Sequence, residues 1–102
     1  MEVVWSERAY VRRQAIEDYI LCSFGFAALR NYEDEVDSWV ETLRSNPKAG
    51  PVEPILANMR KEYRYFVVED LTKGIYYVEE DRLVIVDWWD TRRSLDTLKK
   101  GL

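Results

Sequence analysis

Three segments in the second half of the chain, YRYFVV (63–68), GIYYVEE (74–80) and RLVIVDWWD (82–90), constrain the fold more than any other feature. Their Tyr, Val, Ile and Trp side chains suit a pleated surface. Only EDLTK (69–73) and Asp81 separate them, and connections so short join antiparallel neighbours. The pattern predicts a three-strand antiparallel meander. A sheet of three strands is not stable alone, so its apolar face needs a cover from elsewhere in the chain.

The first half supplies that cover. From about Ala9 to Phe24 the apolar positions Ala9, Ile16, Ile20 and Phe24 fall mostly four apart, with Arg12, Arg13, Glu17 and Asp18 around the rest of the cylinder. Ser6 is a good N-cap for this helix and Gly25 interrupts it. A second helical stripe, Ala28, Tyr32, Val36, Trp39, Val40 and Leu43, runs within about Ala27 to Leu43 and ends at Asn46 and Pro47. Two helices joined by so short a link predict an antiparallel hairpin. SNPKAGPVEP (45–54) holds all three prolines and reads as an ordered surface loop, and residues 55–60 fit no period clearly. Val3, Val4 and Trp5 form a short β-like opening. The expectation is one α+β domain over residues 1–102, two layers deep, with the first strand added to one edge of the sheet.

Charge and cysteine content narrow the function. The 102 residues carry 19 acidic and 15 basic side chains and no histidine, a net charge of -4, so the chain as a whole has no electrostatic attraction to nucleic acid. The deficit lies in residues 1–59, whereas the tail from Arg92 to Leu102 has Arg92, Arg93, Lys99 and Lys100 against Asp96 alone. A lone cysteine, Cys22, excludes an internal disulfide and any cysteine cluster for a metal. The N-terminus shows neither a basic leader nor an apolar targeting segment, and no run approaches the ~18 apolar residues of a membrane span. A cytoplasmic protein with no membrane segment is expected. Four Trp and seven Tyr are an aromatic excess that serves either a core or an interface.

Three features are candidates for chemistry. Arg64 shares a strand face with Phe66 and Val68 by alternation, and an arginine there needs a partner. That partner is either a structural carboxylate, Asp87 or Asp90, or an anion such as phosphate received on a concave face. Arg92 and Arg93 follow the last strand, where they serve either as charges protecting a sheet edge or as additions to the face of Arg64. Trp88 and Trp89 alternate, so one is expected under the helices and the other exposed or covered by a partner. The sequence has no Ser-His-Asp or Cys-His arrangement, no Gly-rich phosphate loop and no metal-ligand spacing, so no cofactor or metal is expected. Acid-base chemistry would have to use Glu, Asp, Tyr or a shifted Lys.

The order of these elements, with VVWSERA, YRYFVV, GIYYVEEDRLVIVDWWDTRR and the closing arginines, resembles the RelE/ParE superfamily of toxin-antitoxin toxins over nearly the whole chain. The resemblance implies a small bacterial toxin neutralised by a cognate antitoxin. In the RelE branch it implies a metal-independent, ribosome-dependent endoribonuclease acting on mRNA, in which Arg64 with Arg92 or Arg93 would hold the scissile phosphate. Lys61, Trp88, Trp89 and Lys99 are then the substrate-binding candidates. In the ParE branch it implies a protein that acts on DNA gyrase. The sequence departs from the RelE pattern in its acidity, in having Leu95 and Leu98 where a tyrosine is expected after the closing arginine, and in offering only Lys48 and Lys61 ahead of the YR strand.

Overall fold

The computed structural model describes residues 1–91. In chain order its elements are β1 (Glu2–Trp5), α1 (Glu7–Phe24), α2 (Phe26–Ser45), a single 3₁₀ turn (Pro54–Leu56), β2 (Arg64–Val68), β3 (Thr72–Glu79) and β4 (Arg82–Asp90). The last three form the antiparallel meander, and β1 joins β4 in parallel, giving the order β1-β4-β3-β2. The α+β architecture and the edge position of the first strand are those expected. The third strand of the sheet order starts at Thr72 rather than Gly74, because a three-residue turn, with Glu69 and Asp70 at φ 51° and 54° followed by Leu71, completes the reversal.

Ser6 couples the two layers. Its hydroxyl accepts from the Ala9 amide at 3.0 Å, capping α1, and donates to the Val86 carbonyl of β4 at 2.9 Å. Gly25 alone joins the helices at φ 92°, a backbone region that disfavours side chains. The stripe on α2 packs as the spacing predicts, with Tyr32, Val36 and Leu43 fully buried. On α1, Ala9 and Ile20 are buried, but Phe24 is 67% exposed and does not join the core. It belongs to the last turn before Gly25, and Phe26 and Ala27, which open α2 beyond it, are exposed as well.

Against the sheet, an aromatic row crosses the core: Trp5 to Trp88 at 5.3 Å between ring centroids, Trp88 to Phe66 at 5.6 Å and Phe66 to Trp39 at 5.5 Å. Gly74 makes the middle of this row possible. It sits between Phe66 and Trp88 in register, and a Cβ there would lie 2.5 Å from one ring and 2.8 Å from the other. Beneath the row, the Trp88 indole N–H donates to the Tyr32 hydroxyl at 2.7 Å, which is itself 2.9 Å from the Thr72 hydroxyl. Three buried polar groups thus satisfy one another.

A bulge decides which face each residue of β4 takes. Ile75 pairs with Asp87 and Tyr76 with Ile85, leaving Val86 as the extra residue. The parity of the strand reverses there, so Leu83, Ile85 and Trp88 all pack under the helices, while Val86 and Trp89 join the opposite face. The tryptophans alternate as expected, but Trp89 is neither exposed nor dependent on a partner. It is 1% exposed, in a second cluster with Leu56, Tyr63 and Ile75. The 3₁₀ turn, in the stretch without a clear period, supplies that cover. The proline loop also does more than line the surface: Val52 bridges to Arg64, Glu53 N–H donates to the Tyr63 carbonyl at 2.8 Å, and Gly50 and Glu53 are buried. It shields the free edge of β2. Among the described residues, no helix is long and apolar enough to cross a membrane.

Gly74→Ala is expected to force the Phe66 and Trp88 rings apart and to destabilise the fold by about 1–3 kcal/mol. Urea unfolding should show a lower midpoint with an unchanged slope.

Candidate functional site

Arg64 lies at the start of β2, 16% exposed, and its guanidinium is already engaged. Its Nε donates to Glu62 Oε1 at 3.0 Å and Nη2 approaches the same oxygen at 2.8 Å. Nη1 donates to the Gly50 carbonyl at 2.8 Å and to the Lys48 carbonyl at 3.5 Å. The partner is thus neither Asp87 nor Asp90. Asp87 is on the far side of the sheet's middle strand, in the bulge, and is held by a different arginine. Arg64 serves to tie the proline loop to the sheet, with Glu62, itself 61% exposed, as the one part of its surroundings open to exchange.

Register also separates Arg64 from the end of β4. Arg64 pairs with Tyr76, which pairs with Ile85, whereas Asp90 pairs with Thr72 and through it lies level with Val68. The two ends are about 13 Å apart along the strands and two strand spacings apart across them. Arg92, Arg93 and Lys99 lie outside the described residues.

The face of the sheet away from the helices carries a different set of side chains. Lys61 Nζ is 4.1 Å from the Tyr77 ring and 3.3 Å from Glu79 Oε2. Lys73 Nζ is 4.1 Å from the Tyr65 ring and 2.7 Å from Glu53 Oε2, whose carboxylate is buried. Tyr63 meets Tyr77 edge-on at 5.9 Å. Alternation along β2 and β3 brings Tyr65, Lys73 and Tyr77 to this surface and Lys61 reaches it from the segment before β2, so two ammonium groups lie over tyrosine rings, with Trp89 buried in the cluster beside them. Such a surface suits an extended ligand that stacks on the tyrosines, while an anion has to compete with Glu79 and Glu53 for the ammonium groups. Sequence reading named Lys61 and Trp89 but missed Lys73, Tyr65, Tyr77 and Glu53. The signal for three of them was the same period of two that placed the strands; nothing in the sequence marked Glu53, which is brought in by the loop.

On the other side of β4, α1 runs along the stretch beyond β1. Arg12 Nη1 donates to both Asp87 carboxylate oxygens at 2.7 and 3.0 Å, and the same carboxylate accepts from the Trp88 amide at 2.8 Å. Arg8 stands 3.9 Å from it and Arg12 also lies over the Trp89 ring at 5.4 Å. Next to this cluster a groove of about 210 Å³ opens between α1 and the end of the sheet, lined by Arg12, Ile16, Tyr19, Leu71, Trp88 and Asp90.

None of the shifted groups is suited to act as a base near neutral pH. Burial pushes the Tyr32 and Tyr76 hydroxyls up. Desolvation opposes the charge on Lys61, but its hydrogen bond to Glu79 and its contact with Tyr77 outweigh that and keep it above its ordinary value. Glu17 and Glu69 are raised by burial, with repulsion from Glu33 and Glu35 respectively adding to it and Arg13 opposing it at Glu17. Glu17 lies at the contact of the two helices and Glu69 in the β2–β3 turn, neither on the face that carries Lys61 and Lys73.

No known family profile and no curated protein matches the sequence. Solved structures do. A chain of the chromosomal ParDE TA system from P. aeruginosa superposes with a TM-score of 0.71, covering 90% of this chain and 97% of its own at 16% identity. The fold is that of the RelE/ParE toxins. The YoeB/ParE toxin from Agrobacterium tumefaciens shares it, with a TM-score of 0.60 over 88% of this chain and 98% of its own, at 15% identity. The likeness is one of fold, and it spans the N-terminal strand, the helical hairpin and the antiparallel meander of this chain.

Two outcomes follow from these contacts. Arg12→Ala leaves the Asp87 carboxylate buried with only the Trp88 amide and a distant Arg8; a loss of about 2 kcal/mol is expected, less than for a fully enclosed pair because Arg12 is one-third exposed. Chemical unfolding measures it directly. Glu17 binds its proton more tightly folded than unfolded, so its ionised form opposes folding above the raised folded-state value, and the penalty fades as pH falls toward its ordinary 4.5. Glu17→Gln should therefore raise the unfolding midpoint at pH 7 and reduce the gain in stability seen on acidification.

Proposed function

We propose that this chain is the toxin of a toxin-antitoxin pair, cytoplasmic and neutralised by a cognate antitoxin, and that it acts by binding a protein target, DNA gyrase, rather than by cutting RNA. The shared fold supports the toxin reading, since nearly the whole chain superposes on a chain of a ParDE system. The observation that carries the mechanism is Arg64. Its Nε and Nη2 are turned to Glu62 and its Nη1 to two loop carbonyls, so a phosphate has to compete with an existing ion pair to reach it. Phosphate binding alone would not cleave RNA without a general base, and of the groups with a shifted pKa, Glu17 and Glu69 lie away from Arg64 while Lys61 holds its proton more tightly than usual.

Ribosome-dependent mRNA cleavage is the second reading, favoured by Lys61 and Lys73 over the tyrosines of the open sheet face. The purified protein separates the two when added to a gyrase supercoiling reaction and, in parallel, to a ribosome-programmed translation reaction with mRNA 5′ ends mapped. Loss of supercoiling with intact mRNA is the expected result. New 5′ ends at ribosome-occupied codons that disappear with Arg64→Ala, in a variant shown to be folded, would overturn the proposal and establish the nuclease.

A further inference from the structure

Among the described residues, four of the exposed large apolar side chains gather toward the tip of the helical hairpin. Tyr19, Leu21, Phe24 and Phe26 are 45%, 42%, 67% and 68% exposed. Phe24 leans edge-on against Tyr19 at 6.0 Å, so the tip presents a packed aromatic pair rather than loose side chains. The run from Tyr19 to Leu29, YILCSFGFAAL, has no charged residue in a chain that is one-third charged. Taking side chains of this size at about 200 Å² each, the four leave roughly 450 Å² of apolar area open. Apolar patches of this extent on small proteins are often functional.

The charges at the borders of the run indicate what covers it. Asp18 is the last charged residue before it and Arg30 the first after it, one on each helix, and both are exposed. Neither has an intramolecular ion pair among the described residues; Arg30 rests only on the Phe26 ring, 5.8 Å from its centroid. A surface with an apolar centre and opposite charges on its two flanks is complementary to itself. A two-fold axis through the tip sets α1 of one copy against α2 of the other, so that Asp18 meets Arg30 twice. We infer that the hairpin tip is a self-association surface whose occupant is a second copy of this chain. Two such patches bury roughly 900 Å² in total, the size of a transient interface rather than of a permanent one. The dimer is accordingly concentration-dependent, and the inference holds whether or not the chain is a toxin.

Sedimentation velocity of the full chain under reducing conditions over a wide concentration range tests this, with Cys22, exposed on the same tip, as a reporter for a thiol-reactive bifunctional cross-linker. A reversible monomer-dimer equilibrium and cross-linked dimer through Cys22 are expected. Phe24→Ser, at an exposed site, should weaken association about tenfold or more, equivalent to 1.4 kcal/mol. Asp18→Arg should weaken it as well by setting like charges opposite each other, and Asp18→Arg combined with Arg30→Asp should restore it. A chain that stays monomeric throughout, or a dimer indifferent to Phe24→Ser and to both charge variants, would overturn the inference and leave the tip to a different protein.

Discussion

The two-faced character of the sheet depends on one extra residue, Val86, and on the buried carboxylate that follows it. Without the bulge, simple alternation from Leu83 would carry Asp87 and Trp89 into the helix layer and turn Trp88 outward. Inserting Val86 reverses this. Asp87 then stabilises the irregularity locally by accepting from the Trp88 amide, and Arg12 neutralises it from α1. The same stretch of β4 is relieved of its edge liabilities, because Ser6 takes the Val86 carbonyl. One irregular residue thus fixes the register of the core, the seat of α1 and the identity of both sheet faces.

Packing elsewhere follows from that choice. Trp88 turned inward meets Trp5 and Phe66, and only the absence of a side chain at Gly74 lets those rings approach. Trp89 turned outward requires a cover of its own, which the chain provides from the 3₁₀ turn and the residues around it. The proline loop that leads into this turn has to be held against β2, and Arg64 together with the Glu53–Lys73 pair does so. A residue that looked like an anion ligand is therefore one of the fastenings of the second face.

This bears on function through the way charge is spent. Arginines inside the structure, Arg12 and Arg64, are matched by carboxylates and carbonyls. The lysines of the outer face are paired as well, Lys61 with Glu79 and Lys73 with Glu53, but they also lie over tyrosine rings that remain partly open. The fold is shared with toxins that differ little from this chain in length, and the neighbours are matched almost end to end. At 15–16% identity the common fold does not carry over the content of the surfaces, which here are the outer face, the groove beside Arg12 and the hairpin tip.

Much of the architecture was legible in the sequence. Periods of two and of nearly four, the single Gly25 between helices and the short connections of the meander depend only on local geometry, and they placed every regular element except the short 3₁₀ turn. The roles of Arg64, Trp89 and Phe24 were not legible. Alternation places Arg64 on a face but does not tell which carbonyls a distant loop will bring to it. It places Trp88 and Trp89 on opposite faces without saying which enters the helix layer, because a bulge is a difference of one residue between two strands and appears in neither alone. Phe24 keeps the spacing of a core position, yet whether helix packing reaches that far depends on where the sheet ends. The sequence by itself determined the elements and their order, since each arises from residues near one another in the chain. Tertiary structure alone decided the partners of the buried carboxylates Asp87 and Glu53 and the face of each tryptophan, since these depend on groups that folding brings together from 20 to 75 residues apart.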